Sequence, residues 1–395
     1  MECLAEVYDK DPINNLLVIL SFRPKKVIIV YDSREADIEQ LKYIEHACKP
    51  KIPYLIMEYI QVDKKSVDDV YLVCKKIIND NPDCYFDVTG GGEIAAVGTY
   101  IACVKTFTPL FKIDINTNML INVYGCKFLE GKFAVPQVSL DTILCARGAS
   151  INGQGHTTPP TELYDSILSY CDYIFKDIKI WKELCLYLQL AISKYKSKNG
   201  AMFFYAPKNI SISPTQSVSL NDYNLLRIAQ KLKLINDLKI NKENVSFSFR
   251  NNIVKKYFAD FGTWLELYTY ISLKKSRKFH DVRMSVKINW DKSGRVYMEV
   301  INEIDVTFFA KSHPIFVSCK LAEPASEALQ ELSMYPNYFG GQYSKSILVT
   351  LAELKDNSHI LRRAKDMHID LIGGTSIKNG TFIEDIENLL GSFNV

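Results

Sequence analysis

Cys84-Tyr85-Phe86-Asp87-Val88-Thr89-Gly90-Gly91-Gly92-Glu93-Ile94-Ala95-Ala96-Val97-Gly98 runs from a short apolar segment, through three consecutive glycines, into a helical pattern. The apolar segment reads as a strand buried on both faces, and the glycines permit positive φ and close backbone approach. A helix starting there leaves its first N–H groups free for an anion, so a phosphate or nucleotide can be cradled. No Gly-Lys-Ser/Thr closes the loop, and its spacing is not GxGxxG. On the residues alone, a tight strand-to-helix turn is an equal reading. Glu93 suits the helix dipole, but its carboxylate would repel a phosphate that it faced.

Moving toward the N-terminus, strand-like Lys26–Tyr31 and Tyr54–Met57 alternate with helical patterns at Ala36–Cys48 and Val67–Asn79. Such alternation implies parallel βαβ units, so residues 1–150 are expected to form a doubly wound sheet. The loop Tyr8–Asn15 follows a first strand at Leu4–Val7. In open α/β sheets ligands sit outside the carboxyl ends of the strands. Lys10, Asp11 and Asn14 are thereby candidates to share a crevice with Thr89, Gly90, Gly91 and Gly92. Asp11 equally suits the N-cap of a helix that begins at Pro12.

Toward the C-terminus, Gly153–Pro160 reads as a linker, and Glu162–Ser193 carries an apolar stripe every three or four residues. Residues 200–250 are rich in Asn and Lys, with one more helix suggested around Leu225–Leu234. Residues 151–250 are therefore expected to be a helical connector. The last region, 251–395, reads as α/β: a helix at Asp260–Ser276, strands at Arg283–Trp290, Val296–Phe309 and Ile315–Leu321, and a helix at Pro324–Met334. A strand at Ser346–Thr350, a helix at Asn357–Met367 and a strand at Ile369–Ile372 complete it.

With 395 residues, 47% of them hydrophobic, and a formal net charge of +3, the chain is globular and of two-domain size. Its charge does not by itself indicate nucleic acid. The ten cysteines form no CxxC pair, which argues against a zinc knuckle or a disulfide framework. No apolar run approaches a membrane span and the start Met1-Glu2-Cys3 has no basic segment, so a cytoplasmic, membrane-free location is expected.

The chemistry concentrates in the last region. Glu303 and Asp305 share one strand face and Ser318 and Lys320 share another, and a hairpin about residue 312 brings Asp305 opposite 318–320. A carboxylate and a lysine side by side suit metal-assisted phosphodiester hydrolysis. Mg²⁺ or Mn²⁺ takes carboxylate and carbonyl oxygens, while the lysine positions or deprotonates water and stabilises phosphorane charge. Glu266, on the preceding helix, can reach the ion from a second direction. A buried ion pair with a purely structural role is the competing reading.

At this point a resemblance becomes specific. A helix with Trp264-Leu265-Glu266, a strand with Asn302-Glu303-Ile304-Asp305 and a strand with Phe316-Val317-Ser318-Cys319-Lys320 resemble the PD-(D/E)xK restriction-endonuclease-like fold. Together with Asp87–Gly92 and Phe339-Gly340-Gly341, they resemble the ancillary effectors of type III CRISPR systems that join a CARF domain to such a nuclease. The resemblance runs from about residue 4 to 375 and is weakest over 150–250. It implies a Rossmann-like CARF domain at 1–150 that binds a cyclic oligoadenylate, commonly cyclic tetra-adenylate, and a metal-dependent nuclease at 251–395. Carried over, Asp305 becomes a metal ligand, Glu266 a second acidic ligand and Lys320 the catalytic lysine. The family motif places an acid two residues before the lysine, where this chain has Ser318. Either Glu266 and Glu303 then supply the missing charge or activity is reduced, and the Cys319 carbonyl can still coordinate.

A cyclic ligand with two-fold symmetry suits a homodimer. Single-stranded RNA, single-stranded DNA and nicked duplex all stay open as substrates; Lys274–Lys278, Trp290, Tyr338 and Phe339 are candidate contacts. Two rival readings stand beside this one. The first is an inactive cyclic-oligoadenylate sensor or regulator, and the second is a ring nuclease that degrades the messenger through Lys10, Asp11 and Thr89.

Overall fold

The computed structural model describes residues 1–133, 136–154, 158–195, 202–213, 215–289, 302–353 and 359–391. Gly155, His156, Trp290, Val296 and Asn357, which the sequence singles out, lie outside the described residues.

The first unit alternates strands and helices: β1 (Cys3–Val7), α1 (Pro12–Phe22), β2 (Lys26–Tyr31), α2 (Ile38–Cys48), β3 (Ile56–Gln61), α3 (Val67–Asp80), β4 (Cys84–Asp87) and α4 (Glu93–Thr106). β5 (Leu110–Asp114), β6 (Met119–Tyr124), β7 (Gly131–Lys132) and α5 (Leu140–Ala146) complete it. Its seven strands are ordered β3-β2-β1-β4-β5-β6-β7, parallel from β3 to β5 and antiparallel beyond. The doubly wound sheet expected from the sequence is present. Its order reverses between β1 and β4, so the crevice at their carboxyl ends is the topological switch point. β3 begins two residues later than expected, because Pro53 and a Leu55 N–H donated to the Ile52 carbonyl hold a turn there.

The middle of the chain is less helical than the sequence suggests. β8 (Ser150–Gln154) is followed by α6 (Tyr164–Lys176) and α7 (Ile178–Lys194). The single long stripe is broken at Asp177, which adopts φ −145 and ψ 91 and accepts hydrogen bonds from the Lys179 and Ile180 N–H groups. A side chain that caps locally competes with continuation of the helix. Next come β9 (Phe203–Pro207), β10 (Asn209–Ser213), β11 (Gln216–Ser219), α8 (Asn224–Lys231), β12 (Ile235–Ile240) and β13 (Asn244–Phe249). These make a β10-β11 hairpin and a β12-β13-β9 sheet instead of a helical connector. In β13 the buried Val245, Phe247 and Phe249 alternate with serines, a period-two pattern inside a polar composition.

The last unit comprises α9 (Asn252–Phe258), α10 (Thr263–Ser276), β14 (His280–Asn289), β15 (Asn302–Ala310), β16 (His313–Lys320) and α11 (Ser326–Tyr335). It ends with β17 (Lys345–Thr350), α12 (His359–Asp366), β18 (Ile369–Ile372), α13 (Gly374–Asn379) and α14 (Phe382–Leu389). Its mixed sheet is ordered β18-β17-β16-β15-β14-β8. The edge strand β8 thus comes from the segment read as the start of a linker.

The two α/β units share one continuous core. Ile13, Leu16 and Ile19 of α1 pack in the same buried cluster as Phe309, Phe316, Leu332, Phe339 and Leu348. This explains why α1 is buried from Pro12 to Leu20 and lacks a polar face. A second core gathers around Trp181 and Trp264, whose rings cross edge to face at 5.8 Å. Among the described residues, no helix is long and apolar enough to cross a membrane.

Candidate active site and ligand pocket

The β15–β16 hairpin pairs Val306 with Val317, which sets Asp305 opposite Ser318 as its register anticipates. Asp305 Oδ2 accepts the Cys319 N–H at 2.7 Å and the Ser318 hydroxyl at 3.2 Å, and Lys320 Nζ lies 3.6 Å away. Burial pushes the Asp305 carboxyl above its ordinary range, against the pull of Lys320 and those two donors. Asp305 and Lys320 are therefore brought together, and the backbone of Cys319 lies beside them. The Cys319 side chain points to the other face, with Sγ 3.6 Å from Thr269 Oγ1 on α10.

Glu266 sits in the first turn of α10. Its carboxyl is pushed up to about 8, first by burial, then by the charges of Asp305, Asp260 and Glu303, with Lys320 opposing. That places it in electrostatic reach of the hairpin. Asp260 is anchored below it, accepting the Gly262 and Thr263 N–H groups. Glu303 accepts the Ser285 hydroxyl at 2.9 Å and stands 3.6 Å from Lys287, its partner in register on β14. It is thus turned toward the neighbouring strand.

Sequence reasoning finds the helix α11 but not its part in the site. The Tyr335 hydroxyl lies 3.0 Å from both the Glu303 carbonyl and the Glu331 carboxylate, which share its proton, and Glu331 adds to the negative field on Asp305. The four-residue spacing of Glu331 and Tyr335 puts them on one helix face, but nothing local says which strand that face meets.

Among the described residues, no three His, Cys, Asp or Glu side chains converge as a metal-binding group. A hard divalent ion does not require one: Mg²⁺ is held by one or two carboxylates, with water and substrate oxygens completing its shell. Asp305, the Cys319 carbonyl and Glu266 meet that description. Both carboxyls are driven upward chiefly by burial, Glu266 also by the Asp305 charge, which marks a place short of positive charge.

The glycine loop lies over the switch point. A cavity of about 570 Å³ is lined by Asn14, Thr89, Gly90 and Gly92, together with Asp9, Lys112, Asn116, Gln342 and Tyr343, among others. Of the expected pocket residues, Lys10 lines instead a neighbouring 280 Å³ cavity with Tyr8, Arg147 and Tyr338. Gly91 is turned down onto β1: at φ +89 its missing Cβ leaves room for Val7. Asp11 has a structural position. It caps α1 by accepting the Ile13 N–H, pairs with Arg147 at 2.7 Å and accepts the Gln342 N–H at 2.9 Å. The N-cap reading of Asp11 is the one the geometry shows; Asp11 is not among the residues lining either cavity, whereas Asn14 in the same helix lines the larger.

Beneath the loop, Glu6 and Asp87 are fully buried neighbours on paired strands. Burial and the charge of Asp87 hold Glu6 well above the carboxylate range, and burial pushes Asp87 up to about 7. Asn15 donates to Glu6 at 3.1 Å and accepts the Asp9 N–H, while Asp9 accepts the Gly91 N–H at 2.9 Å. A hydrogen-bonded series thus runs from the buried pair to the glycine loop. Asp9, Asn15 and Lys112 carry no sequence motif, and only the fold collects them.

Residues 255–388 match the family model of a Card1-like endonuclease domain. No curated protein matches the chain. Among solved structures, protein VC1899 from Vibrio cholerae superposes with a TM-score of 0.76 at 15% identity, covering 99% of this chain and 98% of that one. Can2 from Sulfobacillus thermosulfidooxidans, in complex with cyclic tetra-adenylate, superposes with a TM-score of 0.71 at 15% identity, covering 97% and 98%. A type III CRISPR defence DNA nuclease activated by cyclic oligoadenylate gives 0.53 at 13% identity, over 92% of this chain and 51% of that one. The likeness to these structures shows the fold, a Rossmann-like sheet joined to a mixed α/β unit, and residues 255–388 of that second unit match a Card1-like endonuclease domain.

Proposed function

We propose that the protein is a metal-dependent endonuclease of type III CRISPR defence, switched on by cyclic tetra-adenylate. The observation that carries this reading is the Asp305–Lys320 pair at 3.6 Å, on adjacent strands of the domain that matches a Card1-like endonuclease.

Asp305 is held through one oxygen, Oδ2, by the Cys319 N–H and the Ser318 hydroxyl. Asp305, Glu266 and the Cys319 carbonyl would hold Mn²⁺ or Mg²⁺, which supplies Lewis acidity toward a phosphodiester. Lys320 orients the attacking water and offsets negative charge building on the phosphoryl oxygens. Glu303, bridged to Ser285 and Lys287, contributes field more than ligation. Tyr335 is a positioning residue, fixing the Glu303 backbone against α11.

The activator pocket is the cavity at the switch point, where the free N–H groups at the start of α4 and the Lys112 ammonium meet phosphate. α4 also exposes Ile94, Val97 and Tyr100 on one stripe. A second copy packed against that stripe sets two glycine loops side by side, as a two-fold symmetric ring requires.

The test is cleavage of labelled single-stranded RNA, single-stranded DNA and nicked duplex with Mn²⁺ or Mg²⁺, with and without cyclic tetra-adenylate, wild type beside Lys320→Ala. Cleavage that needs metal and messenger and falls at least about a hundredfold in Lys320→Ala supports the reading. Messenger binding with no cleavage of any substrate would instead make the protein a sensor, with Ser318 marking a disabled site. Loss of messenger without metal would favour a ring nuclease at Lys10 and Thr89.

A further inference from the structure

The wall of the switch-point cavity is not built by the CARF domain alone. Gln342 and Tyr343 belong to the segment between α11 and β17, far beyond that domain in the chain, yet both line the cavity beside Asn14. The Gln342 N–H is fixed on Asp11 at 2.9 Å, whereas its side-chain amide reaches Asn14 Oδ1 only at 3.4 Å. A bond at that limit is weak and readily exchanged for a better acceptor. Gln342 is exposed to the cavity, so a ligand meets it without displacing packed structure.

The segment has no freedom to follow the ligand independently of the nuclease. Gly341 holds φ +69 directly against the Asp11 carboxylate, and any Cβ there would collide with it. Tyr343 meets His313, the fully buried first residue of β16, edge to face at 6.3 Å. At the other end of the segment, Phe339 packs on Phe316 of β16 and on Tyr335 of α11. β16 carries Ser318 and Lys320, and Tyr335 carries the hydrogen bond to the Glu303 carbonyl. One rigid element therefore touches both the pocket and the elements that position the nuclease site.

We propose that Gln342 and Tyr343 are contacts of the activating ligand, so that the endonuclease domain itself forms part of the messenger's binding site. The ligand class is an adenine-bearing cyclic oligonucleotide: the Gln342 amide offers a donor and an acceptor to a base edge or ribose, and the Tyr343 ring offers an apolar face. The identity of the ligand rests on the function proposed above. Binding of the messenger and the state of the nuclease site are then linked, and linkage is reciprocal: whatever occupies the nuclease site changes messenger affinity by the same factor.

The test uses the full chain and cyclic tetra-adenylate, with affinity measured by calorimetry and folding checked by thermal melts. Gln342→Ala, with a melting temperature unchanged, is expected to weaken binding about tenfold. Tyr343→Phe, which keeps the ring, is expected to bind within about twofold of wild type, and Tyr343→Ala to bind about tenfold less tightly. Adding Mn²⁺ and a phosphorothioate single strand should tighten messenger binding to the wild type, and this gain should disappear in Gln342→Ala. Wild-type affinity in both Gln342→Ala and Tyr343→Ala would overturn the proposal while leaving the messenger reading intact. Absence of binding to the wild type would overturn both.

Discussion

Ser318 determines how much charge the proposed nuclease site holds. Its hydroxyl donates to Asp305 where the related motif has a carboxylate, so the hairpin presents one acid and one ammonium side by side. Ser318→Asp adds a second hard ligand, and the Mn²⁺ concentration for half-maximal cleavage should fall about tenfold. Metal titration of the cleavage rate checks this. Without metal the same change sets two carboxylates together, and the melting temperature should drop. The buried Glu6–Asp87 pair gives a different signature. Both carboxyls sit above their unfolded values, so the folded chain holds protons that the unfolded chain releases. The stability this pair contributes should therefore be fully present at low pH and decline as pH rises from the unfolded carboxylate value of about 4 toward about 7. Urea unfolding at several pH values should show that slope in the wild type and a shallower one in Asp87→Asn. Asp305 and Lys320 were legible because strand alternation and one short turn fix their geometry locally. Lys112, Gln342 and Tyr343 were not, since only tertiary packing brings them to one cavity.

Among the elements, strongly patterned ones declared themselves and polar ones did not. β2, α2, α3 and α10 follow continuous apolar runs or regular stripes and lie within a few residues of expectation. The stripe from Glu162 to Ser193 has a helical period throughout, but Asp177 ends one helix and begins the next by capping. Period alone carries no signal of such a break; the capping side chain does. Asp177→Ala removes the acceptor of two helix N–H groups and should cost about 1 kcal/mol, read as a lower urea midpoint with unchanged slope. Strands β9 to β13 were hidden by Asn, Lys and Ser. Their decisive pattern is the single-residue alternation of Val245, Phe247 and Phe249, with Phe247 stacked on Phe204 at 4.6 Å across the pair.

At the level of the whole molecule, assembly and coupling depend on surfaces rather than motifs. The exposed Ile94, Val97 and Tyr100 stripe on α4 is the surface proposed to meet a second copy. Val97→Arg puts a charge at its middle, and light scattering after size exclusion should show monomer where the wild type gives dimer. Messenger affinity should fall with it, because half of a two-fold site is lost.

The continuous core between the α/β units bears on modularity. The two α/β units look like interchangeable cassettes in the linear sequence, with a boundary near residue 150. In three dimensions β8 belongs to the endonuclease sheet, and α1 shares one buried cluster with Phe316, Phe339 and Leu348. Grafting residues 1–150 onto a foreign partner domain would separate α1 from that shared core, while β8 stays behind with the endonuclease sheet. The transplantable unit is therefore larger than the first α/β unit. It must carry a matching surface for α1, so recombination between such proteins can exchange loops and pocket residues far more easily than whole halves.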